Sequence, residues 1–93
     1  MTIRKINPAD LKQAKYPAED VLSTFADRYD REIKLKSAMV YTNKEHDAVW
    51  LIVQLDDGEL VELDSILIDV EDEYVELLGG VALPITAIYD VGV

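Results

Sequence analysis

The sequence predicts an α+β fold in which an N-terminal helix packs on a strongly bent five-stranded antiparallel sheet or small barrel. Three observations lead there. Apolar residues follow a helical period only as far as about residue 30. Beyond it, short runs rich in Val, Ile and Leu alternate with a period of two. Those runs are broken by turn signals at Asp57-Gly58, Glu71-Asp72-Glu73 and Gly79-Gly80. A chain of 93 residues suits one domain, 1–93, divided into a helical part, 1–31, and an antiparallel β meander, 32–93.

In chain order, Met1 to Ile6 reads as a loose terminus. Asn7-Pro8-Ala9-Asp10 has the form of a short helix start, with Asn7 as N-cap, Pro8 at the first helical position and Asp10 where the helix dipole favours an anion. Tyr16-Pro17 starts a second helix, because Val21, Leu22, Phe25, Ala26 and Tyr29 share one helical face; its predicted extent is Pro17 to Asp30. From Glu32 to Thr42 the period changes to two. Ile33, Leu35, Met39 and Tyr41 lie on one side and Lys34, Lys36 and Thr42 on the other, which predicts a first strand with a basic wet face. Asn43 to Asp47 then closes a hairpin.

The second strand, Val49 to Leu55, is apolar on both faces and is expected to be central, with Trp50 under the helix. Asp57-Gly58 predicts a type I′ turn, whose two central residues both need positive φ. The third strand changes phase: Val61 and Leu63 are apolar, then Ile66, Ile68 and Val70, which predicts a bulge or bend near Asp64-Ser65. Tyr74 to Leu78 forms a fourth strand with Val75 and Leu77 inward. After Gly79-Gly80, Val81 and Leu83 resume the alternation, Ile85-Thr86-Ala87 makes a short 3₁₀ turn, and Ile88 to Val91 closes the sheet.

Charge divides the chain sharply. The net charge is −10, and Lys44 is the last basic residue: residues 45–93 hold 13 acidic side chains and no Lys or Arg. Phosphate backbones and anionic membranes are repelled by such a surface, so direct nucleic-acid binding and membrane binding are disfavoured and a basic protein partner is the one implied. The absence of cysteine removes disulfides, thiolate metal sites and cysteine nucleophiles. With no apolar run of 18 residues and no leader-like segment, a cytoplasmic protein is the expectation.

Catalytic groups are sparse. His46 is the only histidine and Asp47 its neighbour, but the pair falls in a turn with no second ligand signalled. Asp56, Asp57 and Glu59, and likewise Glu71, Asp72 and Glu73, offer the carboxylates that calcium prefers without the spacing of a calcium loop. No nucleophile motif or phosphate-cradling loop surrounds Ser23, Thr24 or Ser65. The expectation is therefore no enzyme, no cofactor and no metal.

Val53, Leu55, Asp57, Gly58 and Glu59, followed by Glu73-Tyr74-Val75-Glu76 and the terminal Leu83 to Tyr89, resemble the Sm-like and SH3-like small barrels. Within that class, the order of helix, tight turn and bent strand is similar to the Rof-type family, small acidic inhibitors of the transcription terminator Rho. The resemblance covers about residues 50 to 90, implies a small barrel that regulates a nucleic-acid-binding protein, and carries over no functional residue.

The leading expectation is a small acidic protein-binding module that docks carboxylates on a basic partner through Asp56, Asp57, Glu59, Glu71, Asp72, Glu73, Tyr74 and Glu76. Tyr74 joins the set as an outward aromatic between acidic neighbours. The alternative is a structural or assembly protein, such as a homo-oligomer or a phage or mobile-element component. It is motivated by apolar strands with a free edge and by the contrast between Lys34 and Lys36 and the acidic remainder.

Overall fold

A computed structural model describes residues 2–93; Met1, part of the expected loose terminus, lies outside the described residues. The fold is α+β, with one long helix and two sheets. Strand β1 spans Arg4–Lys5, helix α1 Phe25–Glu45, and six strands follow: β2 Val49–Gln54, β3 Leu60–Ser65, β4 Leu67–Val70, β5 Tyr74–Leu77, β6 Val81–Pro84 and β7 Ile88–Gly92. One sheet has the order β1-β3-β2-β7 and the other β4-β5-β6, so the strands form neither a single five-stranded sheet nor a closed barrel.

Within the stretch expected to be loose, residues 4–6 are tied down. Arg4 and Lys5 pair in parallel with Val61 and Glu62 of β3, and the Ile6 amide donates to the Glu62 carbonyl. Asn7 and Asp10 then bracket a 3₁₀ turn, Pro8–Leu11, in which the Asn7 amide donates to the Asp10 carboxylate at 3.1 Å. This turn buries Leu11 against the core.

The largest correction concerns residues 17–45. The segment expected to be helical from Pro17 is irregular until Thr24, and the expected strand from Glu32 to Thr42 is the middle of α1. Thr24 caps the helix, its hydroxyl accepting from the Asp27 amide at 3.1 Å, and Asp27 sits in the first turn where the dipole favours it. His46 ends the helix in a left-handed conformation, φ 56° and ψ 28°, its amide returning to the Thr42 carbonyl. The face of α1 that meets the sheets carries Arg31, Leu35, Ala38 and Thr42, at helical spacing but half polar. Thr42 donates from its hydroxyl to the Leu67 carbonyl of β4, and Arg31 donates to the Ile88 carbonyl of β7 and to Asp20. The helix thus bridges the edge strands of both sheets.

The sheets follow the sequence more closely. Val49, Leu51 and Val53 of β2, Val61 and Leu63 of β3, Val75 and Leu77 of β5, and Val81 and Leu83 of β6 all point into one core, each fully buried leucine contributing about 1.5–3 kcal/mol. Trp50 points the other way. Its indole covers Gly92, its partner on β7, so closely that a Cβ at Gly92 would overlap the ring, and it does not lie under the helix. The bend in the third strand falls at Ile66, where the chain passes from one sheet to the other. Ser65 and Leu67 both remain inward, and the phase changes only across Ile68, which is exposed beside a bulge between Leu67 and Asp69. The β2–β3 turn is not type I′, since Asp57 keeps negative φ. The Gly58 amide closes on the Leu55 carbonyl and Gly58 alone takes positive φ, at 88°, which makes a three-residue loop with a glycine bulge. The 3₁₀ turn Ile85–Ala87 leads into β7 as expected.

Candidate acidic interface

The eight predicted contact residues fall into two groups on different turns. Asp56, Asp57 and Glu59 occupy the β2–β3 loop, and two of them serve it. Glu59 receives both Arg4 guanidinium donors at 3.0 Å, and these hydrogen bonds hold its carboxyl below the ordinary value of 4.5. Asp57 accepts from the Glu59 amide at 2.9 Å, a local turn bond. Asp56 remains exposed, its amide tied to the Lys15 carbonyl.

Glu71, Asp72, Glu73, Tyr74 and Glu76 form the β4–β5 hairpin, and all five are exposed. The backbone here is fixed at two points: the Glu71 amide donates to the Tyr74 carbonyl at 2.8 Å, and the Ile85 amide to the Glu73 carbonyl at 2.9 Å. Two shallow depressions meet at the Tyr74 ring. One, of about 560 Å³, is lined by Glu71, Asp72, Glu73 and Tyr74; the other, of about 260 Å³, by Asp72, Glu73, Tyr74, Pro84 and Thr86. A half-exposed phenol ringed by carboxylates suits the head of a lysine or arginine, which gains both charge pairing and the ring face.

None of the hairpin carboxylates is paired with a cation among the described residues. Arg28 and Lys36 line a cleft shared with Glu71 and Asp72, but both are engaged elsewhere: Arg28 with Asp20 and the Leu22 carbonyl, Lys36 with Glu32 at 3.0 Å. Lys34 is likewise held by Asp30 and Asp90, at 3.2 and 3.4 Å. Lys34 and Lys36 therefore belong to a helix and pair within it or with β7. They are not the free basic face of a strand.

Compared with protein-family models, curated proteins and solved structures, the chain matches none.

The sequence missed one contributor to the acidic surface. Asp69 stands directly opposite Glu76 in the β4–β5 register, both exposed, so two carboxylates face each other across a strand pair. Its outward direction was legible from the alternation; its partner was not, because the bulge after Leu67 shifts the register. His46, weighed as a base or metal ligand, serves as the helix C-cap. Among the described residues no three acidic or histidine side chains converge to hold a metal ion, and no helix is long and apolar enough to cross a membrane.

Proposed function

We propose that this chain is a small acidic binding module whose β4–β5 hairpin docks on a basic protein surface. The observation carrying this reading is that Glu71, Asp72, Glu73 and Glu76 surround an exposed Tyr74 on a pinned backbone while every nearby cation is committed elsewhere. Like charges placed opposite each other across strands cost stability, so the facing Asp69 and Glu76 carboxylates are an expense that a cationic partner would repay. The β2–β3 loop is secondary, since Glu59 and Asp57 are used in holding the loop and β1 together.

Kinship with the Sm-like and SH3-like small barrels belongs to the same reading. It is supported by the meander from β2 to β7, bent at Ile66, with a 3₁₀ turn before a last strand that pairs back on β2. The module would act by binding, without chemistry of its own, and a cation-lined groove that another protein uses for nucleic acid is the kind of surface it would occupy. Regulation or inhibition follows directly from such occupancy.

The test is capture by the tagged chain from its native lysate, washed at low and then high salt, with the eluate identified by mass spectrometry. A partner with a basic surface, retained at low salt and released at high salt, is expected, because screening weakens exposed charge pairs. The triple variant E71K/D72K/E73K should lose it, whereas D56K should keep it. Undiminished capture by the triple variant would remove the hairpin from consideration.

A further inference from the structure

Helix α1 has a second apolar stripe, on the side away from the core. Phe25, Tyr29, Ile33 and Val40 are 82, 56, 47 and 62% exposed, and their spacing of four, four and seven places them along one line of the helix. The Phe25 and Tyr29 rings stack on each other with centroids 6.2 Å apart, so the stripe begins as an ordered aromatic surface. It runs into an apolar groove of about 440 Å³ between Ile33, Ser37 and Tyr41 of the helix and Val91 to Val93 at the end of β7. A 21-residue helix is about 31 Å long, enough for a full helix–helix seam.

The charges beside the stripe say what would cover it. On one flank Glu32 precedes Lys36 by one turn; on the other Asp30 precedes Lys34 by one turn. When two copies of a helix pair antiparallel about a two-fold axis, each flank meets the same flank of its partner in reverse order. Glu32 then opposes Lys36 of the second copy, and Asp30 opposes its Lys34. The two pairs are centred near residues 34 and 32, on either side of Ile33, and the stripe itself is centred there too. Charge over the whole chain agrees. The segment Phe25–Glu45 holds five basic and four acidic residues, so the rest of the chain carries −11 of the net −10. That charge lies on residues 46–93, which hold 12 acidic and no basic side chains, while residues 1–24 hold four basic and three acidic, so copies that repel through their sheets can approach through this helix.

We infer that the outer stripe of α1 is the interface of an antiparallel homodimer, with Ile33 at the two-fold axis. A seam made by a single helix from each copy is expected to give a weak dimer, with dissociation on the order of micromolar to tens of micromolar. The interface lies apart from the acidic hairpin and stands or falls independently of partner capture.

Sedimentation equilibrium of the full chain, from about 1 µM to about 1 mM, tests it. A reversible monomer–dimer equilibrium is expected. I33D should raise the dissociation constant by at least about tenfold. E32K should weaken association on the order of threefold to tenfold at low salt, and E32K/K36E should restore it, since the swapped charges again meet across the axis. Far-ultraviolet circular dichroism at monomer concentrations checks that each variant keeps its helix. A chain that stays monomeric to about 1 mM, leaving the stripe to a foreign partner, would overturn the inference. So would a dimer indifferent to I33D, or an E32K defect that E32K/K36E does not reverse.

Discussion

Arg31 and Asp20 face each other in a two-point ion pair, with guanidinium-to-carboxylate distances of 2.8 and 2.6 Å, across eleven residues of chain. Arg31 is 6% exposed, and its remaining contact is the Ile88 carbonyl at 3.1 Å, while its Nε has no partner among the described residues. Asp20 also accepts from the Leu22 amide and lies 3.4 Å from Arg28. One carboxylate therefore holds the irregular segment before α1, the first two turns of the helix and, through Arg31, the start of β7. Without regular hydrogen bonding of its own, the segment needs this anchor together with the Val21 amide on Thr86.

Removing Asp20 should be among the most damaging single changes in the chain. D20A leaves a buried guanidinium uncompensated, and a loss of about 3–5 kcal/mol is expected in a chemical denaturation curve. Replacing both partners by apolar residues, as in D20L/R31M, should recover most of that loss, because neither charge then has to be desolvated. The pair also predicts pH dependence. Burial alone would raise the Asp20 carboxyl, but the Arg31 hydrogen bonds, the Leu22 amide and the charges of Arg31 and Arg28 outweigh it and hold its pKa below the ordinary 3.8. A depressed carboxylate stabilises the fold fully above its unfolded value, and that contribution is lost as pH falls through the folded value. Wild type should therefore lose stability progressively below about pH 4, and D20N should show a shallower acid limb.

His46 holds the left-handed cap of α1 at a cost that glycine would not bear. H46G is expected to raise the unfolding free energy by about 0.5–1 kcal/mol. Its effect should be seen in the thermal midpoint alone, with no change in partner capture, since His46 acts on the backbone. An unaltered or lower midpoint would mean that the imidazole contributes contacts of its own.

The sheets were legible because alternation and burial agree in them. Val61 and Leu63, then Val75 and Leu77, then Val81 and Leu83, are inward as the period of two implies, and Ile85–Ala87 is a 3₁₀ turn. The helix was misread because its two faces invert the usual pattern. The buried face spends two of its four positions on Arg31 and Thr42, while Phe25, Tyr29, Ile33 and Val40 point to solvent. Odd-numbered Ile33, Leu35, Met39 and Tyr41 then imitate a strand, and Pro17 with Glu19 and Asp20 imitates the helix start that Thr24 and Asp27 provide. The true signal was the capping pair, with Arg31, Leu35, Ala38 and Thr42 at helical intervals, and only a polar contact between Arg31 and Asp20 makes that stripe a buried one. Of the candidate interface, the exposure of Glu71, Asp72, Glu73, Tyr74 and Glu76 was readable from sequence. The commitment of Arg4 to Glu59 was not, because it joins residues 55 positions apart through a parallel pairing that a two-residue strand does not announce.

The facing Asp69 and Glu76 carboxylates separate stability from function in one substitution. E76K turns a repelling cross-strand pair into an attracting one, and a gain of about 0.2–1 kcal/mol is expected from the β4–β5 hairpin. The same change takes a negative charge from beside Tyr74 and puts a positive one in its place, so retention of a basic partner should fall, most steeply at low salt where charge pairing is least screened. A residue that served only solubility would give the first effect without the second. Thermal denaturation and salt-dependent capture on the same variant therefore discriminate: a more stable protein that still binds its partner at full strength would mark Glu76 as solvated surface, and one that is more stable but binds poorly would mark it as part of the contact.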